Sequence, residues 1–182
     1  MLIDDGEIDP IVSHYLRGDS EVDNYKSWQE PVIKKGGFEL LEIGIRRRGG
    51  EYSDVMRMDQ ELEVIIRYRL TQTIDCFWIT MHMKNEQGNK MFSFSGGGRC
   101  YETHHESGEY VQTCIIPASF LNWGKYAIDF MAFRRVGNIE CLADEKDLIS
   151  FTIVNRQISI GGYMGKEPGD ITPRFEFFER KI

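Results

Sequence analysis

The side chains with chemical potential concentrate in one stretch, "SFSGGGRCYETHHESGEY" from Ser93 to Tyr110, which holds three consecutive glycines, a cysteine, adjacent histidines, three carboxylates, an arginine and two tyrosines. Metal sites, phosphate loops and binding loops are all made from such a mixture. His104 and His105 are neighbours, so on a strand they point to opposite faces, and neither is followed at i+2 or i+4 by another His or Cys, the spacing a preformed zinc site favours. No metal site is expected. Gly96–Gly98 runs into "RCYE" and not into a helix start with Lys-Ser/Thr, so it lacks the helix N-terminus and lysine that hold a phosphate. The glycines are expected to supply positive φ in a bend or bulge of a strand connection.

Catalytic constellations are sparse. There is no Gly-x-Ser-x-Gly elbow, and the carboxylates fall mostly on the solvated faces of the predicted strands. Ser93, Ser95 and His82 could supply a nucleophile and a base across a hairpin, but no third, orienting group is indicated. A carbohydrate-active enzyme would need two carboxylates facing one cleft at roughly 5–10 Å, and Asp129 with Glu102 is the pair to consider. The expectation is a non-catalytic chain without a cofactor.

What remains is an outward aromatic and polar set. Trp78, Thr80 and His82 share one strand face, Asp129, Met131, Phe133 and Arg135 share another, and Phe94, Arg99 and Tyr101 surround the glycine run, with His104 close behind. Sugars present apolar C–H faces and rings of hydroxyls. A carbohydrate site therefore needs flat aromatic surfaces with planar or forked hydrogen-bonding groups beside them, and this set has both. The alternative is that Trp78 and Phe133 are covered by the second sheet, by the N-terminal arm or by a partner subunit.

The elements that must position these groups follow from periodicity. "IDPIVSHYLRG" (Ile8–Gly18) has helical spacing, with Pro10 in the first turn and Gly18 as a stop, and predicts a short helix. Asp19–Gly37, polar and broken by Pro31 and Gly36-Gly37, is expected to be a linker, so residues 1–37 form an arm and 38–182 the main domain. From Phe38 the period becomes two. "FELLEIGIRRR" predicts Leu41, Ile43 and Ile45 on one face; "ELEVIIRYRL" sets Leu62, Val64, Ile66, Tyr68 and Leu70 against Glu61, Glu63, Arg67 and Arg69. "CFWITMHMK" puts Phe77, Ile79, Met81 and Met83 inward, and "NEQG" turns it into "NKMFSFS". Further strands are expected at Glu109–Pro117, Lys125–Arg135, Leu148–Val154 and Arg174–Glu179, with one helical turn at Ala118–Gly124. About eight short strands with almost no helix between them predict an all-β fold, an antiparallel β-sandwich of immunoglobulin-like or jelly-roll type.

Composition sets the bounds. The 182 residues, 41% hydrophobic and 28% charged, suit one domain with an arm, and no apolar run approaches the roughly 20 residues that span a bilayer. The start, "MLIDDGEIDP", has acidic residues where a secretory signal carries basic ones, so a cytoplasmic chain is expected. Net charge is −7, and basic residues are dispersed apart from Arg46–Arg48, which argues against a nucleic-acid partner. Cys76, Cys100, Cys114 and Cys141 form no CxxC pair and are expected to be free, mostly buried thiols.

The hairpin "FWITMHMKNEQGNKMFSF", the later "YVQTCIIPASFLNWGKYAIDFMAF" and "DLISFTIV" resemble the C-terminal carbohydrate-binding domain of Wzt-type ATPase subunits of polysaccharide (O-antigen) ABC transporters. That family shows a strand of the F-x-I-x-L type, a D/N-x-x-G turn, an L-x-x-G-x-Y hairpin and a closing F-x-V strand, and the resemblance covers roughly Phe38 to Val154. "LIDDGEIDPIVSHYL" resembles the last strand and helix of an ABC ATPase domain, yet the chain contains no P-loop, ABC signature or Walker B strand, so it cannot itself hydrolyse ATP. The resemblance implies a sandwich that binds the polysaccharide to be exported, often through its terminus, at the inner face of the inner membrane, linked to a permease subunit through an ATPase domain. It also implies a homodimer, with "RFEFFERKI" after "SIGGYMGKEPGD" as a candidate exchanged strand. On this expectation the carbohydrate-binding residues are Trp78, Thr80, His82, Phe94, Arg99, Tyr101, His104, Phe133 and Arg135. A structural or protein-interaction sandwich that mediates dimerisation is the alternative.

Overall fold

The computed structural model describes residues 23–31, 33–96, 103–155, 165–166, 168–172 and 178–180. The expected N-terminal helix, Arg99, Tyr101, Glu102, Cys100, the bend at 97–98 and most of the final strand lie outside the described residues.

Two five-stranded sheets face one another. The first runs β1 (Tyr25–Ser27), β3 (Phe38–Arg47), β5 (Leu62–Leu70), β10 (Gly108–Ile116), with β2 (Lys34–Lys35) also on β3. The second runs β4 (Met56–Arg57), β12 (Asn138–Val154), β11 (Gly124–Val136), β7 (Phe77–Asn85), β8 (Lys90–Gly96). A small ladder joins β6 (Ile74–Asp75) to β9 (His104–His105). Among the described residues the pairings are antiparallel except β4 on β12, and no helix is long and apolar enough to cross a membrane. This is the expected all-β sandwich.

The alternation of β5 and β7 is the reason the sheets pack. Leu62, Val64, Ile66, Tyr68 and Leu70 meet Phe77, Ile79, Met81 and Met83 in one core, where Phe38 lies within 6.2 Å of the rings of Tyr68, Phe77 and Phe130. Each such side chain, removed from water, contributes on the order of 1.5–3 kcal/mol before the entropy of ordering it is counted. Cys76, Cys114 and Cys141 are free thiols as expected, but half-buried.

Four local expectations are corrected. In β3 the register passes from Leu40↔Tyr68 to Glu42↔Arg67, so Leu41 is an inserted residue. This bulge switches the phase: Phe38 and Leu40 face the core before it, Ile43 and Ile45 after it, and Leu41 does not share their face. Second, the expected linker is partly strand, because β1 and β2 pair with β3, and Arg134 Nη1 donates to Gly36 O (2.9 Å) while Lys35 Nζ donates to Cys141 O (2.8 Å). Residues before Phe38 thus add two short strands to the first sheet.

Third, Ala118–Gly124 is no helical turn. Ser119 has φ 59°, and the fully buried Asn122 donates from Nδ2 to Gly169 O (2.8 Å) while its amide donates to Asp170 O (2.9 Å), which ties this turn to the segment around Ile171. Fourth, the strand expected from Leu148 starts at Asn138. The chain reverses at Gly137 (φ 73°) into a long hairpin with two register shifts, which hide the period of "NIECLADEKD".

Candidate functional site

The two outer faces of the sandwich differ in chemistry. On the first sheet, β3, β5 and β10 display a ladder of ion pairs: Arg46–Glu63 at 2.8 Å, Arg48–Glu61 at 2.7 Å, and Arg67 and Arg69 both at 2.7 Å from Glu109, with Arg69 also 3.1 Å from Glu39. Opposite charges facing across strands satisfy one another in water, with Val111 and Ile115 exposed beside them.

The outer face of the second sheet is built of rows. In the register of β7 with β11, Trp78 opposes Phe133, Thr80 opposes Met131 and His82 opposes Asp129. On the other side of β7, Ser95 opposes Thr80 and Ser93 opposes His82. Trp78 and Phe133 stack with ring centroids 5.4 Å apart and planes 22° from parallel, and both remain half-exposed. They point away from the first sheet, which therefore does not cover them. Thr80 Oγ1 and Ser95 Oγ share a hydrogen bond of 2.8 Å.

Beyond His82 the face becomes ionic. Lys84 Nζ lies 3.1 Å from Asp129 Oδ1 and 2.5 Å from Asp147 Oδ1, and the Asp147 amide donates to Asp129 Oδ1 (2.9 Å). Burial pushes the Asp129 carboxyl up, but the Asp147 amide and Lys84 outweigh it and hold the group below the usual carboxylate range. The bond to Asp147, helped by Asp129 and opposed by burial, raises Lys84. Burial, assisted by Lys90, lowers His82, so its imidazole is neutral at neutral pH. Lys146 pairs with Asp144 at the margin.

The expected residues separate as follows. Trp78, Thr80, His82 and Phe133 lie together on this face, and Arg135 follows Phe133 at its exposed end, where its amide donates to Cys76 O (3.1 Å). Phe94 does not belong to it. Phe94 opposes Met81 and packs, with Phe92, against the core, because in the run "FSFS" the apolar positions take the buried side and Ser93 and Ser95 the wet one.

His104 is not in the rows either. It sits in the β6–β9 ladder with Nδ1 2.5 Å from Asp75 Oδ1, held near the start of β7 by Thr103, whose Oγ1 accepts from the Phe77 amide (3.1 Å). His105 turns the other way, edge-on to Phe77 (5.4 Å) and Tyr110 (5.5 Å). Among the described residues no three His, Cys, Asp or Glu side chains converge as metal ligands.

Sequence reading missed Lys84 and Asp147 as parts of the site. The signal was the lone aspartate in the apolar strand "YAIDFMAF": a carboxylate 1% exposed needs a cationic partner, and Lys84 is the lysine two positions beyond His82 on the neighbouring strand.

No protein-family model matches the sequence, and no curated protein matches it. Among solved structures, the chain is similar to the crystal structure of the C-terminal domain of wzt, at 15% identity and a TM-score of 0.64, over 86% of this chain and 92% of that one. The chain thus has the fold of the C-terminal domain of wzt.

Proposed function

We propose that this chain is a non-catalytic carbohydrate-binding module that recognises a polysaccharide, through its terminus, for export by an ABC transporter. The observation that carries the reading is the partly exposed Trp78–Phe133 stack, flanked by hydroxyl and imidazole groups, on one outer face of a sandwich whose other face carries ion pairs. The outward surface of the stacked pair offers an apolar platform for the C–H face of a sugar, and Thr80, Ser95 and His82 supply donors and acceptors beside it. The fold shared with the wzt domain supports the same reading. In it, the module works in the cytoplasm at the inner face of the inner membrane, as a homodimer whose subunits exchange the C-terminal strand, and reaches the permease through an ATPase domain. Arg135 extends the platform toward an acidic substituent.

A non-catalytic role fits the state of Asp129. A glycosidase acid needs a raised pKa, whereas Asp129 is lowered and one of its oxygens is occupied by Lys84 and the Asp147 amide.

A second reading, a subunit-interaction sandwich, is favoured by Val136 (72% exposed) and Ile139 (57% exposed) at the tip of the β11–β12 hairpin, next to Arg135. The two separate in one titration. The purified chain is titrated with the source organism's surface polysaccharide, with and without chelator, followed by tryptophan fluorescence and repeated with Trp78→Ala. Saturable binding that is lost in the variant and indifferent to chelator is expected. A folded dimer that binds nothing would favour the interaction reading.

A further inference from the structure

Past the aromatic pair, the outer face of the second sheet reaches a row whose polar groups are incomplete. Ser93 on β8, His82 on β7 and Asp129 on β11 stand directly opposite one another, one row across three adjacent strands. Asp129 is 1% exposed; its Oδ1 is used by Lys84 and the Asp147 amide, whereas its Oδ2 is buried and accepts no hydrogen bond. Nδ1 of His82 is also buried without a partner. A buried polar atom left unpaired carries the full cost of its desolvation, so native structures retain few, and those they retain call for an explanation. Here two fall on facing side chains of one row, while their neighbours Lys84, Asp147, Thr80 and Ser95 are all partnered.

We propose that the Ser93–His82–Asp129 row is a hydroxyl-reading subsite, which binds a ring hydroxyl of a sugar other than the one stacked on Trp78 and Phe133. This deepens the glycan-binding reading and rests on it. A carboxylate oxygen only accepts, so a direct bond between the orphaned Asp129 Oδ2 and His82 Nδ1 requires the imidazole proton on Nδ1. That leaves Nε2, on the part of the ring that solvent reaches, as an acceptor, and Ser93, exposed beside it, as a hydroxyl that both donates and accepts. A sugar hydroxyl can donate to Nε2 while it accepts from Ser93.

His82 lies four residues along β7 from Trp78, about 13 Å at ~3.3 Å per residue. Platform and subsite therefore touch different rings of a glycan chain. The Thr80–Ser95 pair between them is already hydrogen-bonded to itself. Stacking accepts any sugar with an apolar face, so selectivity falls to the row, where a missing or inverted hydroxyl forfeits the bonds to Nε2 and Ser93.

Acidification tests the tautomer. The charged groups around the imidazole are Asp129 from β11, Lys90 from β8, and Asp144 and Lys146 from β12; burial comes first and Lys90 second in keeping it neutral. A proton on Nε2 turns the acceptor into a donor, so the donating arrangement of the hydroxyl is lost and the row must be re-formed in the opposite sense.

The decisive experiment measures dissociation constants of the purified full chain for polysaccharide released from the source organism's surface, at pH 7.5 and below the usual imidazole range, for wild type, Trp78→Ala, His82→Gln and Ser93→Ala. Melting curves report whether each variant is folded. Expected is a loss of about tenfold in His82→Gln, the factor of roughly one hydrogen bond, a smaller loss in Ser93→Ala, and weaker binding at low pH in wild type but not in His82→Gln. Binding that Trp78→Ala abolishes but both row variants leave intact at both pH values would overturn the subsite alone. A pH dependence that persists in His82→Gln would overturn the role of its imidazole. No binding by folded wild type would overturn the glycan reading and the subsite with it.

Discussion

Gly44→Ala is expected to destabilise the protein although it adds only a methyl group and removes a flexible residue from a strand. Gly44 opposes Tyr25 in the β1–β3 pairing, and the rings of Tyr25 and Tyr52 stack over it with centroids 4.2 Å apart. A Cβ at position 44 would stand 2.4 Å from Tyr52 Cε1 and 2.9 Å from Tyr25 Cδ2, closer than real atoms approach. The need is for space, since Gly44 is not among the residues at positive φ. The Tyr52 ring cannot yield cheaply. Arg46 lies 5.2 Å above it, its hydroxyl reaches Glu42, and its carbonyl accepts from Asn24 Nδ2 (2.9 Å).

Overpacking of this kind costs about 1–3 kcal/mol, against which losing a strand glycine returns about 0.5–1 kcal/mol. At the midpoints of these ranges the net destabilisation is about 1.3 kcal/mol, a fall in Tm of roughly 3–5 °C for a domain of this size. Urea or thermal denaturation measures it, and a second readout identifies the cause. Burial, followed by Glu42, pushes the Tyr52 hydroxyl up to about 12, so displacing the ring into water should return it toward the ordinary tyrosine value, seen by ultraviolet absorbance against pH. A variant as stable as wild type, with Tyr52 still titrating high, would refute the packing argument.

Three further outcomes are expected. Asn24→Ala removes hydrogen bonds to Ile45 O and Tyr52 O and should cost about 1–3 kcal/mol in urea denaturation, with the loss shared by the β1–β3 pairing. Stability should fall on acidification through the imidazole range. Burial holds His105 and His82 below the usual value of about 6.5, so their contribution is complete above that pH and is lost as pH falls through the lower folded values. Tm measured against pH should therefore drop less steeply in His105→Gln; an unchanged slope would place the titration elsewhere. Glu109→Gln breaks two exposed ion pairs on the first sheet and should leave Tm almost unchanged and glycan titrations unaffected, since that face is solvated.

The sequence carried the class of fold because period-two alternation is a local property. Each of β5, β7 and β11 reads its own inside and outside, which is why Trp78, Thr80 and His82 could be assigned to a wet face before any partner strand was known. Phe94 was legible by the same rule, since in "FSFS" the serines take the wet face, and proximity to the glycine run pointed the other way.

Other features had no local signature. A bulge adds one residue without a distinctive sequence, so the phase switch at Leu41 and the shifts in the β11–β12 hairpin emerge only when the partner strand fixes which groups remain to be paired. The docking of residues 25–27 and 34–35 on β3 depends on a sheet edge that exists only after β3 and β5 have paired. The row of Ser93, His82 and Asp129, and the Lys84 and Asp147 bonds that occupy half of that aspartate, join residues distant in sequence through register across three strands. Alternation along each strand thus determined which residues face outward; only the pairing of strands decided which of them meet, because register is a relation between segments that neither segment encodes alone.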